Sequence, residues 1–174
     1  MQPATLRIIE ATTPEQLDAA QRLFREYASS LGWDLTDSRI ADEMARLPGS
    51  YAPPSGSLMV AYAGDEPAGA LGLQPVPEAY LVEGVGAEHA GELKRLFVAS
   101  QFRSRGLGRA LMLRAEAEAL ARGYDSLVLT TSAEMMPLAQ PLYESLGYTE
   151  TVPYRNDMLW PEIRWMRKDL TESA

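Results

Sequence analysis

The chain has 174 residues, 46% of them hydrophobic, and this length and composition fit one globular domain with a substantial core. It contains no cysteine, which excludes a disulfide framework, a cysteine zinc site and a thiol nucleophile; one histidine, His89, is too few for a histidine-based metal site. The net charge of −8 argues against nucleic acid as a partner and is compatible with a cationic substrate such as an amine.

The sequence carries neither a targeting signal nor a membrane-spanning signal. Residues 1–10 lack the basic start and the continuous apolar core of a signal peptide, and no apolar run approaches the length needed to cross a bilayer. We therefore expect a cytoplasmic protein that contacts no membrane.

The first third of the chain predicts a strand followed by two helices. Residues 5–12 form a short β-prone run, and Thr13 and Gln16 have the spacing of a capping box that starts a helix. The residues predicted to lie on one face of this helix are Leu17, Ala20, Phe24, Tyr27 and Leu31. A second, shorter helix follows a cap at 36–38 and stops at Pro48.

The middle of the chain predicts a hairpin, a long connection and a further strand. Apolar runs at 57–63 and 68–74 are typical of two strands joined by a tight connection. Residues 75–91 contain prolines, glycines and one brief strand-like run, so we interpret them as a long connection. The next strand is predicted over 93–98.

A helix beginning at Leu107 and ending at Gly123 follows that strand. Its predicted apolar face consists of Leu107, Ala110, Leu113, Ala117, Leu120 and Tyr124. The rest of the chain is predicted to form a strand (126–131), a helix (135–146) and two strands (148–154 and 163–170). Two β-α-β crossovers together with hairpins predict an α/β (α+β) protein with a mixed sheet.

The turn between the strand at 93–98 and the helix that follows it is a candidate anion site. The first amides of a helix lack internal partners and lie at the positive end of its dipole. Gly106 and Gly108 let a phosphate approach these amides, and three arginines nearby add positive charge. We interpret the turn as a diphosphate cradle; the alternative is that both glycines serve helix packing.

The pattern of this turn separates it from two other phosphate sites. A P-loop requires a Lys-Ser or Lys-Thr pair, which the chain lacks, and a dinucleotide fingerprint requires a third glycine where Leu111 stands. Residues 103–108 instead read R-x-x-G-x-G. Residues 92–111 thus resemble the acetyl-CoA-binding core of GNAT-type N-acetyltransferases, and residues 141–148 resemble the second signature of that family.

The resemblance implies a GNAT fold, with a mixed sheet of about six to seven strands and about four helices in a single domain spanning 1–174. It implies acetyl-CoA as the acetyl donor and no metal. Backbone groups of the strand are expected to bind the thioester and the pantetheine arm, at Leu96, Phe97 and Val98. The cradle residues expected to bind the diphosphate are Arg103, Ser104, Arg105, Gly106, Leu107, Gly108 and Arg109.

Two residues are expected to take part in the chemistry. Tyr143 matches the family tyrosine that protonates the departing sulfur, and the alternative is a core ring with its hydroxyl on the cofactor. Glu92 matches the general-base glutamate of histone-acetylating members, and the alternative is a structural pairing with a neighbour such as Lys94. Trp33 and Tyr154 are candidate acceptor contacts, although Trp33 could instead pack over the helix junction.

The predicted function is transfer of acetyl from acetyl-CoA to a primary amine of a small molecule or peptide. The alternative from another class is a CoA-binding sensor that has lost turnover. No nucleic-acid partner is expected. Homodimers are frequent in the family, and the sequence leaves the oligomeric state and the identity of the amine open.

Overall fold

A computed structural model describes residues 4–158 and 162–171, which form one mixed sheet with helices on both faces. The elements in chain order are β1 (Leu6–Glu10), α1 (Pro14–Ser30), α2 (Ser38–Ala45), β2 (Ser57–Ala63), β3 (Glu66–Pro75), β4 (Ala90–Val98), α3 (Leu107–Ala121), β5 (Ser126–Ser132), α4 (Ala139–Ser145), β6 (Thr149–Glu150) and β7 (Ile163–Asp169). The seven strands and four α-helices of the described residues confirm the predicted fold class.

The strands lie in the order β1-β2-β3-β4-β5-β7-β6. All neighbours are antiparallel except β4 and β5, which α3 connects as a parallel pair. No helix in the part of the chain that the structure describes combines the length and the hydropathy needed to cross a bilayer.

The parallel pair separates soon after it begins. Ala90 pairs with Ser126 and Glu92 with Val128, and the ladder between β4 and β5 ends there. β4 nevertheless continues to Val98. The described chain therefore holds a cleft between the two diverging strands, and the second half of β4 has no strand partner on its β5 side.

A bulge in β4 determines which side chains reach this cleft. Ala70 of β3 pairs with Phe97 and Gly72 pairs with Lys94, so two residues of β4, Arg95 and Leu96, lie opposite one residue of β3. Arg95 takes up the irregularity with φ +65°. Because of the extra residue, Lys94 and Phe97 lie on the same face of the sheet although they are three positions apart.

The helices α1 and α3 cover opposite faces of the sheet. A side chain at Gly69 would meet Leu111 of α3, whereas Phe97, opposite the next residue of β3, packs against Tyr27 of α1 at 5.8 Å between ring centroids. Successive residues of a strand face opposite sides, so this contrast assigns one helix to each face.

The predicted apolar face of α3 is wrong at Leu113, Ala117 and Leu120, which are exposed, whereas Leu107 is buried and Tyr124 packs against the core. The residues that α3 buries are Leu107, Leu111, Met112, Ala115 and Ala119, while Leu113 and Leu120 are 47% and 49% exposed. Leucine and alanine occur on nearly every side of this helix, so their spacing alone does not determine which face is buried. The buried face has alanines where the helix approaches the sheet.

Two predicted elements near the C-terminus are shorter than expected. The helix begins at Ala139 rather than at residue 135, since Pro137 disfavours helical geometry at the residue before it. The strand predicted over 148–154 pairs only at Thr149 and Glu150. One further backbone hydrogen bond, from Thr151 to Trp165, follows them before the chain carries Tyr154 to a buried position against β4.

Candidate active site

The cleft between β4 and β5 has a volume of about 430 Å³. Residues 93–96 and 130–132 form its strand walls, and residues of α1, of α2 and of the segment 155–158 complete the lining. Tyr143 of α4 is also part of the lining. The splay of the parallel strands thus brings residues from distant parts of the chain into one opening.

The predicted cradle follows β4 as an exposed turn and ends in the first turn of α3. Gly106 precedes the helix with φ +76°, and no side chain caps the first amides of α3. Ser104 also has a positive φ, at +61°. Leu107 is buried, so its side chain anchors the helix start and only its backbone faces the turn. These amides are available to an anion.

The three cradle arginines form no ion pair with any carboxylate of the described residues. Arg103 donates from Nε to the carbonyl oxygen of Val98 at 3.0 Å, and Arg109 donates from Nη1 to Oγ of Ser145 at 3.4 Å. Unpaired arginines beside uncapped helix amides fit a diphosphate. A Cβ at Gly108 would lie 3.3 Å from Cδ2 of Leu142, so the first turn of α3 leaves little room for a side chain.

The three strand residues expected at the thioester occupy different environments. Leu96 lines the cleft, Phe97 is buried against α1, and Val98 pairs with Gly69 of β3. All three lie beyond the last β4–β5 pair, so their backbone edge toward β5 has no strand partner. An extended arm that carries amides can add to such an edge as a further strand.

Tyr143 points into the cleft from α4, and its ring packs against Tyr148 at 6.1 Å between centroids. Burial, together with the charge that Tyr27 carries when ionised, raises the pKa of Tyr143 above its ordinary value. The hydroxyl forms no hydrogen bond with the described residues. It therefore stays protonated at neutral pH and is available to a ligand.

Glu92 is buried, and both oxygens of its carboxylate accept hydrogen bonds. Oε1 accepts hydrogen bonds from Nε2 of Gln74 at 2.8 Å and from Nη1 of Arg155 at 2.7 Å, and Oε2 accepts one from the Tyr154 hydroxyl at 2.8 Å. Its ion-pair partner is Arg155 rather than Lys94, the neighbour named as an alternative above. Three donors from three different side chains therefore hold this carboxylate in place.

Arg155 joins Glu92 to the cleft. It donates to Asp157 from Nε at 2.6 Å and from Nη2 at 2.8 Å, and both of these residues line the cleft. Hydrogen bonding to Arg155 lowers the pKa of Asp157 below its ordinary value. Tyr154, the expected acceptor contact, is instead buried edge-on to Trp165 at 5.0 Å, and its neighbours present their side chains to the opening.

Trp33 lines the cleft, and its ring also packs edge-on against Tyr27 of α1 at 5.6 Å between centroids. The Arg95 guanidinium lies over its ring at 4.9 Å from the centroid, and Arg95 also makes a bidentate pair with Glu43 of α2, at 3.2 and 2.7 Å. The Tyr51 hydroxyl donates to the same carboxylate at 2.6 Å. Burial acts to raise the pKa of Glu43, but Arg95 outweighs it and the pKa is lowered. This network fixes α2 against β4.

Sequence reasoning did not find Lys94, Arg95, Glu43, Arg155 and Asp157 as parts of one cleft. Arg155 and Asp157 closely follow Tyr154, which the family resemblance marked as a candidate acceptor contact, so a local signal existed for them. Arg95 and Glu43 are distant in the chain, and the bulge that brings them together has no glycine to mark it.

Known proteins share this chain's sequence and its fold. The model of the acetyltransferase (GNAT) family matches residues 8–148. An uncharacterized N-acetyltransferase of Schizosaccharomyces pombe is 32% identical over 172 residues, covering 99% of each chain. A GNAT-family acetyltransferase of Staphylococcus aureus has the same fold, with a TM-score of 0.75, 17% identity and coverage of 95% of this chain and 99% of that one.

A further solved structure includes the acetyl donor. The yncA acetyltransferase of Salmonella typhimurium, solved with its cofactor acetyl-CoA, has a TM-score of 0.67 and 20% identity, and the match covers 98% of this chain and 97% of that one. The turn at Arg103–Arg109 fits such a donor in its charge and in its free amides. The family match over most of the chain, on a seven-stranded sheet with a splayed parallel pair, shows that the protein belongs to the GNAT acetyltransferases and is an N-acetyltransferase that uses acetyl-CoA.

Proposed function

We propose that this domain, spanning 1–174, transfers acetyl from acetyl-CoA to a primary amine of a small molecule or peptide, by direct attack while both are bound. The observation that carries the proposal is the cleft at the β4–β5 splay. It has an uncapped, arginine-rich helix start at one end of β4 and a polar, half-enclosed wall at the other. Donor and acceptor can therefore approach the same stretch of strand from opposite sides.

The unpaired edge of β4 at Leu96, Phe97 and Val98 is proposed to hold the thioester. Backbone N–H groups there polarise the carbonyl as negative charge develops on its oxygen. The turn from Arg103 to Arg109, with Ser104, Arg105, Gly106, Leu107 and Gly108 between them, is proposed to hold the diphosphate. The bound donor supplies an activated acetyl group and a thiolate leaving group.

The transfer balances as one bond formed and one broken. The amine nitrogen bonds to the acetyl carbon, the carbon–sulfur bond breaks, and the ammonium proton passes to water in the cleft. Tyr143 gives its proton to the departing thiolate and regains one from solvent. We assign Glu92 a positioning role through Arg155, because its oxygens already accept three hydrogen bonds. Trp33 is proposed to form a wall for the acceptor.

A thermal-shift titration with acetyl-CoA, CoA, ATP and NAD tests the donor site. A ligand that binds only the folded state raises the melting temperature. We expect acetyl-CoA and CoA to stabilise the protein and ATP and NAD to have no effect. The absence of a shift with either CoA species would contradict the cradle assignment.

Turnover is tested by release of free CoA with a panel of primary amines. Tyr143→Phe is expected to lower kcat about 10²-fold, the scale of a lost general acid, with a smaller effect on acetyl-CoA affinity. Tyr148→Phe is the matched control, since that hydroxyl faces Glu116 rather than the cleft. Equal losses of turnover and affinity in Tyr143→Phe would make the residue a binding contact. Binding without turnover on any amine would favour the sensor.

A further inference from the structure

Lys94 differs from the other cations in the cleft wall. Arg39 pairs with Asp37, Arg95 pairs with Glu43, and Arg155 pairs with Glu92 and Asp157. The ammonium of Lys94 forms neither an ion pair nor a hydrogen bond with any described residue. Among the cations of the cleft lining, Lys94 is therefore the one that has no direct partner among the described residues.

The surroundings of Lys94 make an unpaired ammonium costly. The side chain is half-buried on the α1 face of β4, between Gln74, the Tyr51 region and the cleft. Burial, and then the positive charge of Arg95, lowers the pKa of Lys94, while Glu92 and Glu43 partly offset this. Both of those carboxylates are already held by arginines. A charge that is partly removed from water and has no counterion of its own raises the free energy of the unliganded protein. Binding of an anion beside it lowers that free energy.

The acetyl donor does not supply that anion. Lys94 lies four residues before Val98, about 13 Å along an extended strand, and the cradle begins only at Arg103. The part of the donor that would lie along β4 is the uncharged pantetheine arm. An anion at Lys94 must therefore come from the acceptor side of the cleft.

We propose that Lys94 binds a carboxylate of the acceptor, so that the natural substrates are primary amines that also carry a carboxylate, such as amino acids. A single unpaired ammonium matches the one negative charge of a carboxylate. Tyr27, Ile40 and Met136 provide apolar lining for the remainder of a small acceptor. This inference rests on the proposed acetyl transfer and specifies its acceptor.

The test compares free amino acids with their carboxamides, using CoA release by the 174-residue chain. The two forms share the side chain and the amine and differ in the negative charge. We expect kcat/KM to be at least ten-fold higher for the acids. Lys94→Met is expected to reduce this preference at least ten-fold by raising the KM of the acids, and Lys94→Arg should retain part of it. Arg25→Met removes an exposed charge outside the cleft lining and serves as the control.

The outcomes separate this inference from the proposed function. If carboxamides are acetylated as well as the acids, or if Lys94→Met leaves the preference intact, the carboxylate site is refuted while acetyl transfer stands. If the panel gives no turnover, calorimetric titration of N-acetyl amino acids and their amides into the CoA-loaded protein measures the same preference. Equal affinities, or equal losses in Lys94→Met for both forms, would then refute it.

Discussion

Replacing Arg155 by methionine would leave the Glu92 carboxylate buried without its ion-pair partner. Glu92 is 2% exposed and Arg155 6%, so solvent cannot take the place of the guanidinium. Removing one member of a buried pair typically costs about 3–5 kcal/mol. Gln74 and Tyr154 still donate to Glu92 in this variant, so we expect the lower end, about 3 kcal/mol. For a chain of this length that lowers the melting temperature by about 6–12 °C.

A double-mutant cycle isolates the charge effect. Glu92→Gln removes the negative charge while preserving the shape of the side chain, and Arg155 keeps its bidentate bond to Asp157. We therefore expect this variant to lose less stability than Arg155→Met, about 1–2 kcal/mol. In the double variant no buried carboxylate is left unpaired. Its loss should therefore be smaller than the sum of the single losses by at least about 1 kcal/mol.

Urea denaturation at pH 7, followed by circular dichroism, measures these free energies of unfolding. A loss of less than about 0.5 kcal/mol in Arg155→Met, which is within the range of an ordinary surface substitution, would refute the reasoning. Additive losses in the double variant would refute the coupling. In the same preparations, a kcat of Glu92→Gln reduced 10²-fold or more would identify Glu92 as a general base instead of a positioning residue.

Two further predictions concern the scaffold around the cleft. Gly72→Ala would place a Cβ 2.6 Å from Cε1 of Tyr51, whose hydroxyl is held by Glu43. We therefore expect the free energy of unfolding, measured by urea denaturation, to fall by about 1–3 kcal/mol. A decrease below about 0.5 kcal/mol would show that the Tyr51 ring moves freely. The pKa of Glu43 is lowered in the folded state, so at this group the folded state binds fewer protons than the unfolded chain. The stability that Glu43 contributes is therefore fully present above the ordinary glutamate pKa. It is lost as the pH falls through the lowered pKa of the folded state. Melting curves from pH 7 to pH 3 should show a smaller acid-induced decrease in Arg95→Met, and an unchanged decrease would contradict this assignment.

Much of the backbone geometry at the proposed donor site was predictable because its signals are local. Gly106 adopts φ +76° immediately before α3, a conformation that glycine takes without strain, and the helix begins at the predicted Leu107. The capping box of α1 forms as its spacing indicated, between Thr13 and Gln16. Such features depend on a few consecutive residues, so the sequence alone determines them.

The charge pairing on the proposed acceptor side of the cleft was decided by tertiary structure. The residue that pairs with Glu92 lies 63 positions away at Arg155, and the one that holds Arg95 lies 52 positions away at Glu43. The spacing of apolar residues allowed either of two faces of α3 to be the buried one. The packing of the helix's alanines against the sheet determined which face is buried. Likewise, Lys94 is left without an ion-pair partner because Glu43 and Glu92 pair with Arg95 and Arg155. Charge pairing and side-chain direction depend on which distant segments meet, so only the folded chain fixes them.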